Sequence, residues 1–571
     1  MDDRGRPMDA RERPIDIKII KEKKVKKKLF GILITLMLAV SLLMVPAVAA
    51  DGKADLLEGS FSYEQDGWLF VHLEGTPYQI GYQNGYLTAE SANYWLMSYL
   101  GTGAYAAMAR DTVQKVIWPL IPKEYQDEID GIVAGLHARG YTTWDRWDVA
   151  AVNAWTDIST YQPKGEEEEK CCSAFVATGD ATTDGQVVMG HTTMSSKAGD
   201  FMLYVMFDVT PDEGYRFRYQ SAGGSIWSGQ EWDVNETGLM VTKTALKNPV
   251  RNPEGTPHFL RIRQAVQYTD NLDDFIDVMT TNMDGAYPCH WLAADAKTGE
   301  ICSLMLGCNA WDINRTFNGF FPACNYPYGD NPTNNFRVEA GYPVPAPDPP
   351  TSTRAIRWEE LIDQYYGQVD VEVGKLMLED DIIASYGPTN KSGGYDGNVT
   401  STALVLDDNM GMWSRWGNPA GKPFDLEAFK EEQGAEWVAS HQEYIANLQR
   451  YVDRTPNPWT YLVRAIDIKP GSYPNSINLD SKGVVPVAVL TTDYFDASTV
   501  NPGTVEFAGT GAVRWTLDDV DGDGDMDMLF HFRAQEMNLT RESTEATLTG
   551  ETVDGQPIKG TDTVNIVPAK D

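Results

Sequence analysis

The 571-residue chain is poor in histidine, cysteine and positive charge: it has 7 His and 6 Cys, and 47 Lys/Arg stand against 82 Asp/Glu, a formal net charge of -35. So large an acidic excess excludes nucleic-acid binding through a basic face, and it favours solubility and the attraction of cations. There is no C-x2-C pair, which removes the usual spacing of a structural zinc site. Beyond one run of four glutamates there is no low-complexity tract, and no internal repeat is visible. Long apolar runs are also missing, with one exception at the N-terminus.

That exception reads as an export signal. Residues 1 to 28 are polar and end in KEKKVKKK, Leu29 to Val45 is almost wholly apolar, and Ala47-Val48-Ala49 offers small residues for cleavage near Ala49/Ala50. The rival is a membrane anchor, because about 17 apolar residues lie at the short end of what spans a bilayer; the abrupt change to DGKADLLEGS favours cleavage. The long polar leader leaves Met8 open as a start site. The leader carries 11 Lys/Arg against 6 Asp/Glu, so its removal takes the charge from -35 to -40. A secreted or cell-surface chain meets an oxidising setting, and five Asn-x-Ser/Thr triplets (Asn235, Asn314, Asn390, Asn398, Asn538) permit glycosylation.

About 520 mature residues exceed one hydrophobic core. Residues 51–171 read as largely helical, with apolar residues at three-and-four spacing in GTPYQIGYQNGYLTAESANYWLMSYL and PKEYQDEIDGIVAGLHARGYTTWDRWDVAAVNAWTDI. From Ser173 onward, short alternating segments broken by Gly and Asp predict strands and hairpins, and two helical stretches follow within 172–452. DRTPNPWTYLV is a Pro-containing linker (453–465), and residues 466–571 read as a separate strand-rich module.

The six cysteines fall into two groups. Cys289, Cys302, Cys308 and Cys324 are close in sequence and are expected to form two disulfides, with three connectivities open; zinc is the weaker alternative. Cys171 and Cys172 are adjacent, follow the glutamate run, and open an apolar strand. Neighbours on a strand point to opposite faces, so the two need not share a role.

In the last module, DDVDGDGDMD places Asp519, Asp521, Asp523, Asp525 and Asp527 at alternate positions with Gly524 where a calcium loop must turn. Phe530 stands where an EF-hand has its closing Glu, so the loop is a shorter cage, with Ca2+ in a structural role; the rival is a solvated acidic turn. No cofactor is expected for catalysis.

Several segments, in order, carry a resemblance: HLEGTPYQIGYQNGYLTAE, CSAFVATGDATTDGQVVMGHTTM, NETGLMVTKTAL, STRAIRWEEL and MWSRWGNPA, spanning about residues 68 to 420. Together they resemble the autoproteolytic cysteine group of N-terminal-nucleophile (Ntn) hydrolases, which includes isopenicillin N acyltransferase-like and phospholipase B-like proteins. The resemblance implies an α+β fold, a four-layer αββα sandwich with a helical prosegment, followed here by the C-terminal all-β domain. It implies a nucleophile that becomes a chain N-terminus by self-cleavage, and CSAF fits that pattern from Cys172, with Cys171 ending the prosegment.

Chemistry supports Cys172 in this role. An N-terminal cysteine carries its own base: an α-amine has a reference pKa of about 8 and a thiol about 8.5. No distant histidine is needed, which suits a chain with so few. The hairpin that begins at Cys172 returns at GHTT and is expected to bring His191 and Thr192 beside the nucleophile. The resemblance implies Asn325 as a side-chain oxyanion donor and an arginine at Arg354 or Arg357, whose i, i+3 spacing leaves the choice open. Met194 stands where the acyltransferases have Asp, a departure from that branch.

The sequence is therefore expected to encode an exported self-processing cysteine hydrolase of linear amide C–N bonds, acting on a small amide or acyl substrate through a Cys172 thioester. Two alternatives stay open: a phospholipase B-like acyl-ester hydrolase, and a catalytically silent cell-surface binding protein attached through its C-terminal module.

Overall fold

The computed structural model of the chain describes residues 55–568 except 160–170, 195–202, 230–231, 247–251, 329–338, 340–351, 385–398, 401–409, 455–457, 463–465, 492–495, 521–523, 554–556 and a few single or paired positions. The leader, the glutamate run, Asn390, Asn398 and the calcium-loop residues Asp521 and Asp523 lie outside the described residues.

The fold is mixed α and β. In chain order the first strands are β1 (Phe61–Gln65), β2 (Trp68–Gly75), β3 (Cys171–Gly179), β4 (Gly185–Met194), β5 (Val205–Pro211), β6 (Phe217–Ser221), β7 (Trp232–Asn235) and β8 (Leu239–Ala245). Then come β9 (Cys289–Asp295), β10 (Glu300–Leu306), β11 (Trp311–Thr316), β12 (Gly319–Ala323), β13 (Val399–Thr400), β14 (Met412–Trp416) and β15 (Thr460–Leu462). One sheet has nine strands in the order β1-β2-β5-β6-β7-β8-β9-β10-β11, and a second has six in the order β12-β3-β4-β13-β14-β15.

The two-residue period of β3 and β4 explains how the second sheet is buried on both sides. Ala174, Val176 and Met189 join the core shared with the nine-stranded sheet. Phe175, Ala177 and Val188 face the other way, into a cluster with Trp358 and Leu361 of the helix Thr353–Tyr365 and Met377 of the helix Val371–Leu378.

Residues 51–171 do more than supply helices. Trp68, Phe70, Val71 and Leu73 are buried, and β2 runs parallel to β5 from Leu69↔Val205 to Gly75↔Pro211, so two strands of the central sheet precede Cys172. Among the helices that follow, Pro77–Leu87 starts at a capping box in which Thr76 and Gln79 satisfy each other's end groups. It packs on Lys123–Ala138 with almost no space between the backbones: a Cβ on Gly81 would sit 1.9 Å from the Glu128 carbonyl oxygen and one on Gly85 2.1 Å from that of Ile132. Gly131 and Gly135 return the contact at 2.2 Å from Tyr78 O and Tyr82 O. The paired Gly-x-x-x-Gly spacings in the sequence are thus a packing device.

Three expectations are corrected. The stretch read as a linker contains β15, which pairs with β14 at Met412↔Leu462 because Tyr461 and its neighbours complete the edge of the second sheet. Cys289, Cys302, Cys308 and Cys324 are buried and are not joined in disulfides. The register gives the reason: Cys302 lies opposite Ala293, four residues along β9 from Cys289, or about 13 Å, whereas a disulfide requires Cα atoms within about 7 Å. Cys324 directly follows β12, a strand of the other sheet. Finally, Asn235 is buried, its amide donating to the carbonyls of Val266 (2.8 Å) and Thr269 (2.9 Å), so the folded chain does not present it for glycosylation.

Residues 466–566 have a hydrophobic core of their own, built on Ile466, Val487, Phe507, Phe530, Phe532 and Leu548, within the compact unit Leu56–Asp571. Asp527 is buried and accepts from the N–H groups of Thr491 (2.7 Å) and Val520 (2.9 Å); Asp519 and Asp525 are exposed. Among the described residues no three His, Cys, Asp or Glu side chains are clustered to hold a metal, and no helix is long and apolar enough to cross a membrane.

Candidate active site

Four segments converge on the start of β3. They are the end of β8, the turn after β12, the first turn of the helix Thr353–Tyr365, and the turn that holds Ile383. Cys172 is fully buried there. Its main-chain N–H donates to Asn325 Oδ1 at 2.8 Å, and its carbonyl accepts from Arg354 Nη1. A second Arg354 nitrogen donates to Asn325 Oδ1 at 3.0 Å, and Nη1 also reaches Ser173 Oγ at 3.1 Å. Ser173 Oγ donates to the Ile383 carbonyl at 2.9 Å.

Asn325 is itself clamped. It sits at φ 58°, in the left-handed region that Asn tolerates better than most side chains. Its N–H donates to Thr244 Oγ1 (3.1 Å) and its Nδ2 to the Ala245 carbonyl (2.8 Å). The side chain thus bridges the two sheets, from β8 to β3. The sequence reading gave its amide N–H2 to an oxyanion; in the structure it is the amide oxygen that faces Cys172. The cause is the polarity of its neighbours, since an N–H of the main chain and a guanidinium both require an acceptor.

Arg354 and Arg357 are separated by their surroundings. Arg354 is 8% exposed, and its three acceptors described above are uncharged. Arg357 points to Asp380 (2.9 Å) and Glu360 (2.7 Å), so of the two only Arg354 meets β3.

The β3–β4 register places the remaining residues. Thr193 lies opposite Cys172, Thr192 opposite Ser173 and His191 opposite Ala174. By strand alternation His191 shares the Cys172 face, one pair further in, while Thr192 takes the other face; both are buried. Of the site, the sequence reading omitted Ser173, Thr193 and Thr244. The signal for Thr244 was legible: in MVTKTAL, Thr242 and Thr244 put hydroxyls on one face of a strand that is apolar apart from them and Lys243. Nearby, burial pushes the Cys324 thiol up and pushes His290 down to about 3, which leaves both neutral at neutral pH.

No family model matches the chain. It is 26% identical over 397 residues to an uncharacterised protein of Archaeoglobus fulgidus, an alignment that covers 62% of this chain and 64% of that protein; the match therefore spans less than two thirds of the relative's length. Among solved structures, it is similar to a mutant conjugated bile acid hydrolase from Clostridium perfringens with a TM-score of 0.27 and 10% identity, covering 42% of this chain and 88% of that one.

Proposed function

We propose that this chain is an exported, self-processing cysteine hydrolase of the Ntn type that cleaves linear amide C–N bonds, with the two sheets and their outer helices as its αββα sandwich. One observation carries the reading. The main-chain nitrogen that would become the α-amine is already held by Asn325 Oδ1, and the carbonyl beside it by Arg354.

In the precursor, Cys172 Sγ attacks the carbonyl carbon of residue 171. The C–N bond to Cys172 breaks, which frees its amine as the thioester forms, and water then hydrolyses the thioester to the Cys172 thiol and a carboxylate at residue 171. In turnover that amine takes the thiol proton, the thiolate attacks the substrate carbonyl, and the leaving amine departs with the proton. Water then releases the acid. Asn325 Oδ1 accepts from the amine and orients its lone pair toward the thiol. Arg354 contributes a positive charge, not neutralised by its described acceptors, to a centre where negative charge develops. His191, on the same face, and Thr193, opposite the thiol, border the approach.

The C-terminal residues serve in this reading as a structural or surface-attachment module, with calcium held by Asp519, Asp521, Asp523, Asp525 and Asp527; earlier melting of this region in chelator than in calcium tests it. For the enzyme, intact-mass analysis of purified protein is decisive. Wild type is expected as two chains split between Cys171 and Cys172, Cys172→Ala as one intact inactive chain, and Cys171→Ala as split. An unsplit wild type that hydrolyses neither amides nor esters would overturn the proposal.

A further inference from the structure

Among the described residues, one sheet edge of the C-terminal module has no strand beside it. Its four-stranded sheet runs Ile466–Ile468, Val484–Val489, Asp527–Arg533, Arg514–Asp518. At the first edge, the Ile468 N–H is capped by the Asp562 carboxylate at 2.9 Å. At the other, all five residues of Arg514–Asp518 are exposed.

This strand overhangs its own core. Trp515 pairs with Phe530 and Leu517 with Met528, and both partners are buried in the core of residues 466–566. Trp515 and Leu517 therefore stand on the core-facing side of the sheet, yet they are 46% and 42% exposed, with Val513 just before the strand at 43% and Met526 at 49%. An uncapped strand with an apolar face is a template for another strand. Natural edges are commonly guarded by charges that repel a copy; here the charges are arranged differently.

We propose that a second copy of this chain occupies this edge, with the two Arg514–Asp518 strands antiparallel about a two-fold axis at Thr516. The five residues Arg-Trp-Thr-Leu-Asp are complementary to themselves in this register. Arg514 faces Asp518 of the second copy, Trp515 faces Leu517, and Thr516 faces Thr516, so each charge meets its opposite twice and the overhanging side chains cover one another. Slipping the axis to Arg514 or Asp518 sets like charges opposite, which selects the register. The contact is one strand pair and its side chains, small beside a standard interface of about 1,600 Å², so the dimer dissociates on dilution.

Sedimentation velocity of the full purified protein over a concentration series tests this. Wild type is expected to show a concentration-dependent monomer–dimer equilibrium. R514D and D518R, which set like charges across the axis, should each weaken the dimer at least tenfold, whereas R514D/D518R should return it to within about threefold of wild type. T516C should form a disulfide-linked dimer on mild oxidation. A wild type that stays monomeric at its solubility limit overturns the proposal, as does a dimer indifferent to R514D, or a double variant as weak as the singles. Burial of Trp515 fluorescence on neutral lipid vesicles by a monomeric chain would place a membrane there instead.

Discussion

Asn325→Asp separates the proposed role of Asn325 at Cys172 from that of a merely well-packed residue. The substitution preserves shape, the acceptor at Oδ1, and tolerance of φ 58°. It changes two things. The Nδ2 donor to the Ala245 carbonyl becomes an oxygen, so a 2.8 Å hydrogen bond becomes an unpaired carbonyl facing a carboxylate, at a cost of about 1–3 kcal/mol. At the same time Arg354, 3.0 Å from Oδ1, gains a carboxylate partner that offsets part of this cost and neutralises the charge intended for the reacting centre. On the non-cleaving Cys172→Ala background, urea unfolding should show a net loss of about 1–2 kcal/mol. On the wild-type background, intact-mass time courses should show self-cleavage slowed at least tenfold, because the loss of one electrostatic contribution at a transition state is typically worth 2–4 kcal/mol. Wild-type cleavage and turnover in Asn325→Asp, with stability unchanged, would refute the idea that Asn325 and Arg354 serve the chemistry at Cys172. Asn325→Ala is less discriminating, since it leaves the Cys172 N–H and Arg354 short of an acceptor as well.

Other outcomes follow from the packing. After cleavage the fragment that ends at Cys171 should stay with the fragment that begins at Cys172 through size-exclusion chromatography and separate only in denaturant, because β2 pairs with β5 along its whole length. Gly85→Ala should destabilise the protein by about 1–3 kcal/mol in urea unfolding, the cost of overpacking, despite a better helix propensity, since its Cβ would lie 2.1 Å from Ile132 O. Alkylation in denaturant without reductant should label Cys289, Cys302, Cys308 and Cys324; in the native protein Cys302, pushed up to about 12 by burial, should resist it. His72, half-buried and bonded to Asp208 at 2.9 Å, has its pKa raised overall: burial acts to lower it, and Asp208 together with Glu74 outweighs that. Its contribution to stability is thus full below about 6.5 and lost as pH rises through the raised value, so stability measured from pH 6 to 9 should fall in this window and His72→Gln should flatten the fall.

Some of this was written in the chain locally. Strand alternation in CSAFVATGD and the returning QVVMGHTT determines the β3–β4 hairpin, because period two and the intervening Gly and Asp leave few other ways to bury both faces. The three-and-four spacing of residues 77–153 determines helices in the same way, and the self-complementary Arg514–Asp518 is a property of five consecutive residues.

Tertiary structure decided the rest. Arg354 and Arg357 are equivalent in a helix read alone; the packing of that helix on β3 gave the first to Cys172 and the second to Asp380. Four nearby cysteines look like two disulfides until register sets Cys302 opposite Ala293 and β12 carries Cys324 into the other sheet. The residues before Cys172 read as mostly helical, yet β2 is a buried strand of the nine-stranded sheet, paired with β5 more than a hundred residues away. Asn325 stood out in the sequence, but which end of its amide faces Cys172 depends on a main-chain N–H from β3, a carbonyl from β8 and a guanidinium from a helix. Periodicity reports which face of an element is buried; what lies against that face is decided by segments distant in sequence, and local pattern carries no record of them.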